Sequence, residues 1–269
     1  GAAFIHQISG CPGGVFMIKV GISGANGTMG RLTVDAVGKS NDMAVTGLYA
    51  PGREGGDIGG HKASGAPSAL ADCDVIVEFT NPEAAEENVP RWGEYGANVL
   101  IGTSGYTTSR IEALREQWEG LDSRCLVVPN FAIGAVLMMR FAELAAPHFE
   151  SAEIIEMHHH DKPDAPSGTS LHTAARMAAA RNETGHERGN ELVQGALGAD
   201  VEGIPVHSMR MHGSQAHQEV VLGTVGQYLT IRHDTTDYEC FVPGIILALR
   251  SMDSLDAGVT VGLEKLLGV

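Results

Sequence analysis

The stretch "MIKVGISGANGTMGRLTVDAVGKS", residues 17–40, decides the fold. A short apolar run reads as a strand, a glycine-rich turn follows, and an amphipathic helical pattern closes the segment. The turn is not a strict G-x-G-x-x-G. Gly24, Gly27 and Gly30 make a G-x-x-G-x-x-G variant between strand and helix. The physical logic is unchanged. Residues without side chains let the backbone approach a pyrophosphate, and the helix N-terminus offers N–H groups and a favourable dipole. A plain glycine turn would also fit, but a strand–turn–helix opening a parallel sheet is where dinucleotide sites are built.

The alternation continues downstream. "MAVTGLYA" (43–50), "DVIVEFT" (74–80), "NVLIGTS" (98–104) and "CLVVPN" (125–130) read as strands. "NPEAAEENVPRWGEYG" (81–96) and "SRIEALREQWEG" (109–120) read as helices, and the Gly-rich run 51–68 as a loop. Strands alternating with helices imply a parallel sheet covered on both faces, with ligands at the carboxyl ends of its strands. Two strand ends, Gly102-Thr103-Ser104-Gly105 and Val128-Pro129-Asn130-Phe131, lie where a nicotinamide would rest, although each alone could be an ordinary strand-to-loop turn. The second strand ends Leu48-Tyr49-Ala50-Pro51-Gly52-Arg53, with no acid before Glu54 to hold ribose hydroxyls. Arg53 and the missing acid lean towards a 2′-phosphate.

After Asn130 the pattern changes. A long apolar helix (132–149) and the strand "SAEIIEM" (151–157) are followed by a helix from about Ser167 towards Arg181. Residues 182–203 are polar and Gly-rich, so loop; "PVHSMRM", "HQEVVLG" and "QYLTIRH" are then three strands. The expectation is an α/β protein: an N-terminal Rossmann-like parallel-sheet domain (17–130 and 241–269) and a smaller α+β domain (131–240) with a roughly four-stranded sheet. The helix in "FVPGIILALRSM" returns the chain to the first domain.

Composition sets the outer limits. The 269 residues are 43% hydrophobic and 19% charged, ordinary for a globular protein, and the net charge is −15. That charge argues against nucleic acid or an anionic membrane as partner. No apolar run reaches the ~18 residues of a membrane span. Cys11, Cys73, Cys125 and Cys240 stand far apart, which suits reduced cytosolic thiols and a cytoplasmic location better than a zinc site or a disulfide framework. Residues 1–16 lack the basic and apolar regions of a signal peptide and read as an upstream extension or an expression remnant.

The stretch "EIIEMHHHDKPDAPSGTSLH", 153–172, carries the chemistry. If the strand continues, His158 and His160 share one face and His159 takes the other. Two histidines at i, i+2 can ligate a metal, but a catalytic zinc wants a third protein ligand and none is evident, so no metal is expected. Hydrogen-bonded core histidines are the bland alternative, yet His-His-His-Asp-Lys is too polar for a core and favours a cleft. Downstream, Asp164 or Ser167 can cap a helix whose first turn holds Pro166. Free N–H groups around Ser167, Gly168 and Thr169, with the Thr169 hydroxyl, offer a carboxylate pocket; His159 and Lys162 would add charge opposite. Ser167 lacks the G-x-S-x-G elbow of a hydrolase nucleophile, and a plain cap describes it better.

Taken together, "EFT" (78–80), "GTSG" (102–105), "PNFAIG" (129–134) and above all "EMHHHDKPDAPSGTS" resemble the dihydrodipicolinate reductase (4-hydroxy-tetrahydrodipicolinate reductase) family over about Ile18 to Val269. The resemblance implies NAD(P)H-dependent reduction of 4-hydroxy-tetrahydrodipicolinate to tetrahydrodipicolinate in diaminopimelate and lysine biosynthesis. It implies His158 and Lys162 as the proton-transfer pair, with substrate contacts at His159, Gly168 and Thr169 beside Ser167. It also implies cofactor contacts at Gly24, Ala25, Asn26, Gly27, Thr28, Met29, Phe79, Gly102, Thr103, Ser104, Val128, Pro129, Asn130 and Phe131. A homotetramer assembled through the smaller domain's sheet is implied as well. The chain departs from the family pattern at Glu78, where aspartate is usual, at Ser104 for threonine, and at Asp161, often histidine. A nucleotide-sensing module without turnover, or a dehydrogenase of another small dicarboxylate, would share the two domains but leave the proximity of His158, Lys162 and the Ser-Gly-Thr turn unexplained. From Arg53 we expect NADPH to support turnover at least as well as NADH. Comparing kcat/KM for the two cofactors checks this, and a strong preference for NADH contradicts it.

Overall fold

A computed structural model of the chain describes residues 17–181 and 189–269. The expected extension, residues 1–16, and residues 182–188 of the expected loop lie outside that range.

The first unit begins with β1 (Ile18–Ser23), α1 (Thr28–Gly38) and β2 (Met43–Tyr49). A small hairpin, β3 (Asp57–Ile58) and β4 (His61–Lys62), interrupts the Gly-rich loop. Then follow β5 (Val75–Glu78), α2 (Pro82–Glu94), β6 (Asn98–Ile101), α3 (Thr108–Gln117) and β7 (Arg124–Val127). Starts of helices follow the local chemistry: Asn81 accepts from the Ala84 N–H at 2.8 Å with Pro82 at the first helical position, and Thr107 caps α3.

The chain then builds the second unit from α4 (Ile133–Ala145), β8 (Ser151–His159), α5 (Gly168–Ala180), β9 (Ala199–Val201), β10 (Ile204–Met211), β11 (Ala216–Thr224) and β12 (Gln227–Thr235). It closes with α6 (Val242–Ser251), β13 (Gly258–Val261) and α7 (Glu264–Leu267).

Six parallel strands in the order β13-β7-β6-β5-β1-β2 form the first sheet. The crossover from β1 through β2 to β5 reverses direction in the sheet, so the carboxyl ends of β1 and β5 flank a switch point, where such sheets bind ligands. Val20, Ile22, Val75, Val77, Leu100 and Leu126 are buried on one side against Val34 and Val37 of α1 and Ile245, Ala248 and Leu249 of α6. Ile76, Val99, Ile101 and Cys125 pack on the other side with Trp92 and Trp118. Burial on both faces explains the near-continuous apolar reading of these strands.

The second sheet has five strands, β12-β11-β8-β10-β9, rather than the roughly four expected. The extra strand, β9, pairs antiparallel with β10 inside the segment read as loop. It is three exposed or half-buried residues, Ala-Asp-Val, too short and polar to carry a period-2 signal. β13 was likewise not anticipated; it adds a sixth strand beside β7.

The glycine turn packs tightly against the end of β5. Gly24 has φ +78°, and a Cβ there would lie 2.7 Å from the carbonyl carbon and oxygen of Phe79 at the end of β5. Gly24→Ala therefore meets both a left-handed backbone and a clash with rigid main chain. We expect it to cost about 2–5 kcal/mol and to abolish NADPH binding, as read by denaturant titration and by cofactor fluorescence.

Candidate active site

The β1–α1 turn shapes one side of the site. Gly27 is the extended N-cap of α1 without a side-chain cap bond, which leaves the first helical N–H groups facing the turn. Asn26 at its tip is gripped by Arg31, whose Nη2 donates to Oδ1 at 2.6 Å and whose Nε donates to the backbone oxygen at 3.1 Å. The other predicted strand ends gather around two rings. Phe79 and Phe131 meet edge to face at 5.7 Å, and a Cβ on Gly102 would press into both. Thr103 donates its hydroxyl to the carbonyls of Glu78 and Thr80, each at 3.2 Å, so it ties the ends of β5 and β6 together. Arg53 is exposed on the loop after β2, and Glu54 turns back to accept from the Gly52 N–H at 2.9 Å. That bond pulls the Glu54 carboxyl below its ordinary pKa. A cradle of side-chain-free residues against the Phe79 main chain, opening onto a helix N-terminus, suits a dinucleotide.

β8 and α5 shape the opposite side. Along β8 the buried residues are Ala152, Ile154 and Glu156, and His158 continues that face. His159 points to the other face and is exposed. Glu156 is fully buried and keeps three partners: the His158 Nδ1, the Arg210 Nη1 at 2.9 Å, and the Ser208 hydroxyl. Burial by itself would raise this carboxyl; the bonds from His158, Ser208 and Arg210 outweigh it and hold the pKa below the usual carboxylate range. With Nδ1 turned to Glu156, the other ring nitrogen of His158 is left for the cavity.

Ser167 is the N-cap of α5, accepting from the Ser170 N–H at 3.2 Å. The Ser170 hydroxyl donates to Gln218 Oε1 at 2.8 Å, so the Ser167 hydroxyl proton goes to Ser170 Oγ at 2.9 Å. Gln218 Nε2 in turn donates to Thr173 at 2.8 Å. Ser167 thus has neither proton nor geometry to spare for nucleophilic attack, in keeping with the cap expected of it. Helical bonding starts at Leu171, whose N–H reaches the Ser167 carbonyl, so the Gly168 and Thr169 N–H groups precede it. A Cβ on Gly168 would meet open space, which allows close approach of an anion.

A cavity of about 180 Å³ adjoins β8 and the start of α5, lined among others by Asn130, His158, Ser167, Thr169, Gln218 and His233. Asn130 spans it from the end of β7, with Nδ2 3.4 Å from the Thr169 hydroxyl. Lys162, His159 and Gly168 do not line this cavity. They sit on or beside the segment joining His158 to Ser167, where the Lys162 ammonium holds Asp164 at 2.7 Å. Among the described residues, no three His, Cys, Asp or Glu side chains converge as a metal site.

Sequence reading missed Glu156, Arg210, Gln218 and His233. Glu156 and Gln218 had a signal: polar residues at inward positions of strands that are otherwise apolar on that face. Arg210 had none, since it looks like one more alternating polar residue.

A parallel Rossmann-like sheet followed by a second, mixed sheet is an architecture found among dinucleotide-dependent oxidoreductases. Comparison with known proteins narrows the class. The family model described as dihydrodipicolinate reductase, N-terminus, matches residues 18–131, and that for the C-terminus matches residues 134–267. The 4-hydroxy-tetrahydrodipicolinate reductase of Corynebacterium urealyticum is 43% identical over 94% of this chain and 100% of its own length; that of Cutibacterium acnes is 46% identical with the same coverage. A dipicolinate-bound dihydrodipicolinate reductase from Paenisporosarcina sp. TG-14 superposes with a TM-score of 0.81 at 34% identity, over 93% of this chain and 99% of that one. The chain belongs to the dihydrodipicolinate reductase family.

His233 provides a pH test. It rests on Gly134 at the start of α4, where a Cβ would lie 2.5 Å from the ring. Burial lowers its pKa and His217 adds to that, against an opposing pull from Asp234. A depressed folded value means stability that is present above about pH 6.5 and lost as pH falls through the folded value. Denaturant titrations should show wild-type stability falling as pH drops below about 6.5, with a smaller fall in His233→Gln. Equal slopes for the two proteins would contradict this assignment.

Proposed function

We propose that this chain reduces 4-hydroxy-tetrahydrodipicolinate to tetrahydrodipicolinate with NADPH or NADH, and that His158 and Lys162 handle the protons. The contact between Asn130, at a cofactor-side strand end, and Thr169, on the candidate carboxylate turn, carries this reading. It sets Asn130 and Thr169 on one cavity that His158 also lines. A bound nicotinamide supplies the hydride. Gly24 to Met29, Arg53, Phe79, Gly102 to Ser104 and Val128 to Phe131 would hold the dinucleotide. Gly168 and Thr169 would receive a substrate carboxylate through two N–H groups and a hydroxyl, with Ser167 fixing their helix. His158 presents the ring nitrogen not engaged by Glu156, and an imidazole nitrogen can either give or take a proton. Lys162 brings an ammonium from the adjoining segment, and His159 a further substrate contact.

The reading extends to assembly and place. Alternate positions of the second sheet expose Ile155, Met209, Met211 and Tyr228 on the face away from α4 and α5. A face that sets these apolar side chains among the ion pairs His207–Glu153 and Arg232–Glu219 suits burial against another copy, in a homotetramer; a monomeric mass by light scattering would contradict it. No described helix is long and apolar enough to cross a membrane, and we place the enzyme in the cytoplasm. His158→Gln and Lys162→Met should each slow turnover by about 10²–10⁴-fold, measured as nicotinamide oxidation with freshly generated substrate. Near-normal rates in both variants would remove these roles.

A further inference from the structure

The proton-handling groups proposed above do not stand alone; both trace back to one guanidinium. Arg210 lies on β10 directly opposite His158 on β8. Its Nη1 donates to Glu156 Oε1 at 2.9 Å and to the Met209 carbonyl at 2.8 Å. Its Nη2 donates to the Asp164 carbonyl at 2.6 Å. Two separate arms lead away from it. Along the first, Glu156 uses its other oxygen to hold His158 Nδ1. Along the second, the carboxylate of Asp164 holds the Lys162 ammonium at 2.7 Å.

We propose that Arg210 is a positioning residue that sets both proton-handling groups at once, His158 through Glu156 and Lys162 through Asp164. This rests on the roles given to His158 and Lys162 in the previous subsection. The chemistry favours arginine for the task. A planar fork with several fixed donors can satisfy a buried carboxylate and a main-chain carbonyl in different directions, which the point charge of a lysine cannot do with the same geometry. The Glu156 arm also fixes a tautomer. A carboxylate accepting from Nδ1 keeps the proton there and leaves the second ring nitrogen as the one that meets the cavity. The Asp164 arm fixes a backbone. The chain between His158 and Ser167 has to leave a strand and enter a helix, and the bond to the Asp164 carbonyl pins it midway.

The alternative is that Arg210 only neutralises a buried acid and that its loss weakens the fold without touching the reaction. Glu156→Gln and Arg210→Met, with Arg210→Lys as the conservative variant, separate the two in the full-length protein. The positioning role predicts a kcat loss of about 10²-fold or more for Glu156→Gln, within the ~10⁴-fold cost known for a histidine left in the wrong tautomer, with KM changed little. It predicts that Glu156→Gln adds no further loss in a His158→Gln background. Arg210→Met should still slow His158→Gln, through the Lys162 arm, and should cost nothing more once Lys162→Met is added. Arg210→Lys should restore part of the rate. Nitrogen-15 shifts of His158 should report a single Nδ1–H tautomer in the wild type and a mixture in Glu156→Gln. If Arg210→Met does not fold, Glu156→Gln and Arg210→Lys carry the test. Normal kcat in Glu156→Gln, or an equal further loss from the Arg210 variants in the background lacking both His158 and Lys162, overturns the proposal. Normal turnover in His158→Gln and Lys162→Met would instead overturn the reading on which it rests.

Discussion

The register of β8 is the constraint on which the second half of the molecule depends. Side chains on a strand alternate with a period of two, so a slip of one residue moves every one of them to the other face. β8 is paired on both edges, in parallel with β10 from Ile154 to His159 and antiparallel with β11 from Ser151 to His158. Its inward face runs Ala152, Ile154, Glu156, His158: apolar at one end and polar at the other. Full burial of Ile154 contributes about 1.5–3 kcal/mol, and a slipped strand would bury Glu153 in its place. The same slip would put Met157 in the place of His158 at the cavity. Core packing at the start of the strand thereby fixes the chemistry at its end.

Glu156 sits where that face changes character, and it makes the change irreversible. A buried carboxylate is tolerated only when its lone pairs are met, and stripping one partner from a buried ion pair costs about 3–5 kcal/mol. Here His158, Ser208 and Arg210 all meet it. The polar network on the neighbouring helix is closed in the same way, from Ser167 through Ser170 and Gln218 to Thr173. Two hydrogen-bonded networks therefore border one small cavity, and the cross-strand pairing of Gln218 with Glu156 keeps them in register. Towards the first sheet, Asn130 reaches Thr169 and Arg176 on α5 holds Glu264 of α7. These polar ties run beside the hydrophobic packing of Val136, Met138 and Met139 of α4 into the core of the first sheet.

Much of this was legible in the sequence because it follows from short-range rules. The strand–turn–helix of residues 18–38, the four strands that alternate with helices after it and the capped start of α5 each announce themselves by period, glycine placement or capping chemistry. The opposite faces of His158 and His159 were legible too, since alternation needs no tertiary information. What escaped depends on pairings distant in sequence. β9 exists because β10 offers it an edge, and β13 because β7 does; neither holds enough apolar residues to signal a strand alone. Arg210 is the sharpest case. Its meaning lies in Glu156 and Asp164, 54 and 46 residues away, and nothing in the alternation of β10 distinguishes an arginine facing solvent from one anchoring an active site.

The departure at Glu78 shows how a local exception is absorbed by packing. The residue ends β5, beneath the region assigned to the cofactor, and is fully buried. Its Oε1 accepts from the Thr80 N–H at 2.9 Å and from the Thr80 hydroxyl, while Oε2 accepts from the indole N–H of Trp92 on α2 at 2.9 Å. A side chain one methylene shorter could still close the two-residue loop to Thr80, but would fall short of the indole. The longer acid therefore matches a tryptophan, itself fully buried and packed edge-on against Tyr49 at 5.5 Å. Both oxygens are thereby used up within the protein, and the carboxylate supports the end of β5 from below while the Phe79 main chain above it faces the glycine turn. The substitution changes what braces the strand end and leaves the backbone that meets the dinucleotide in place.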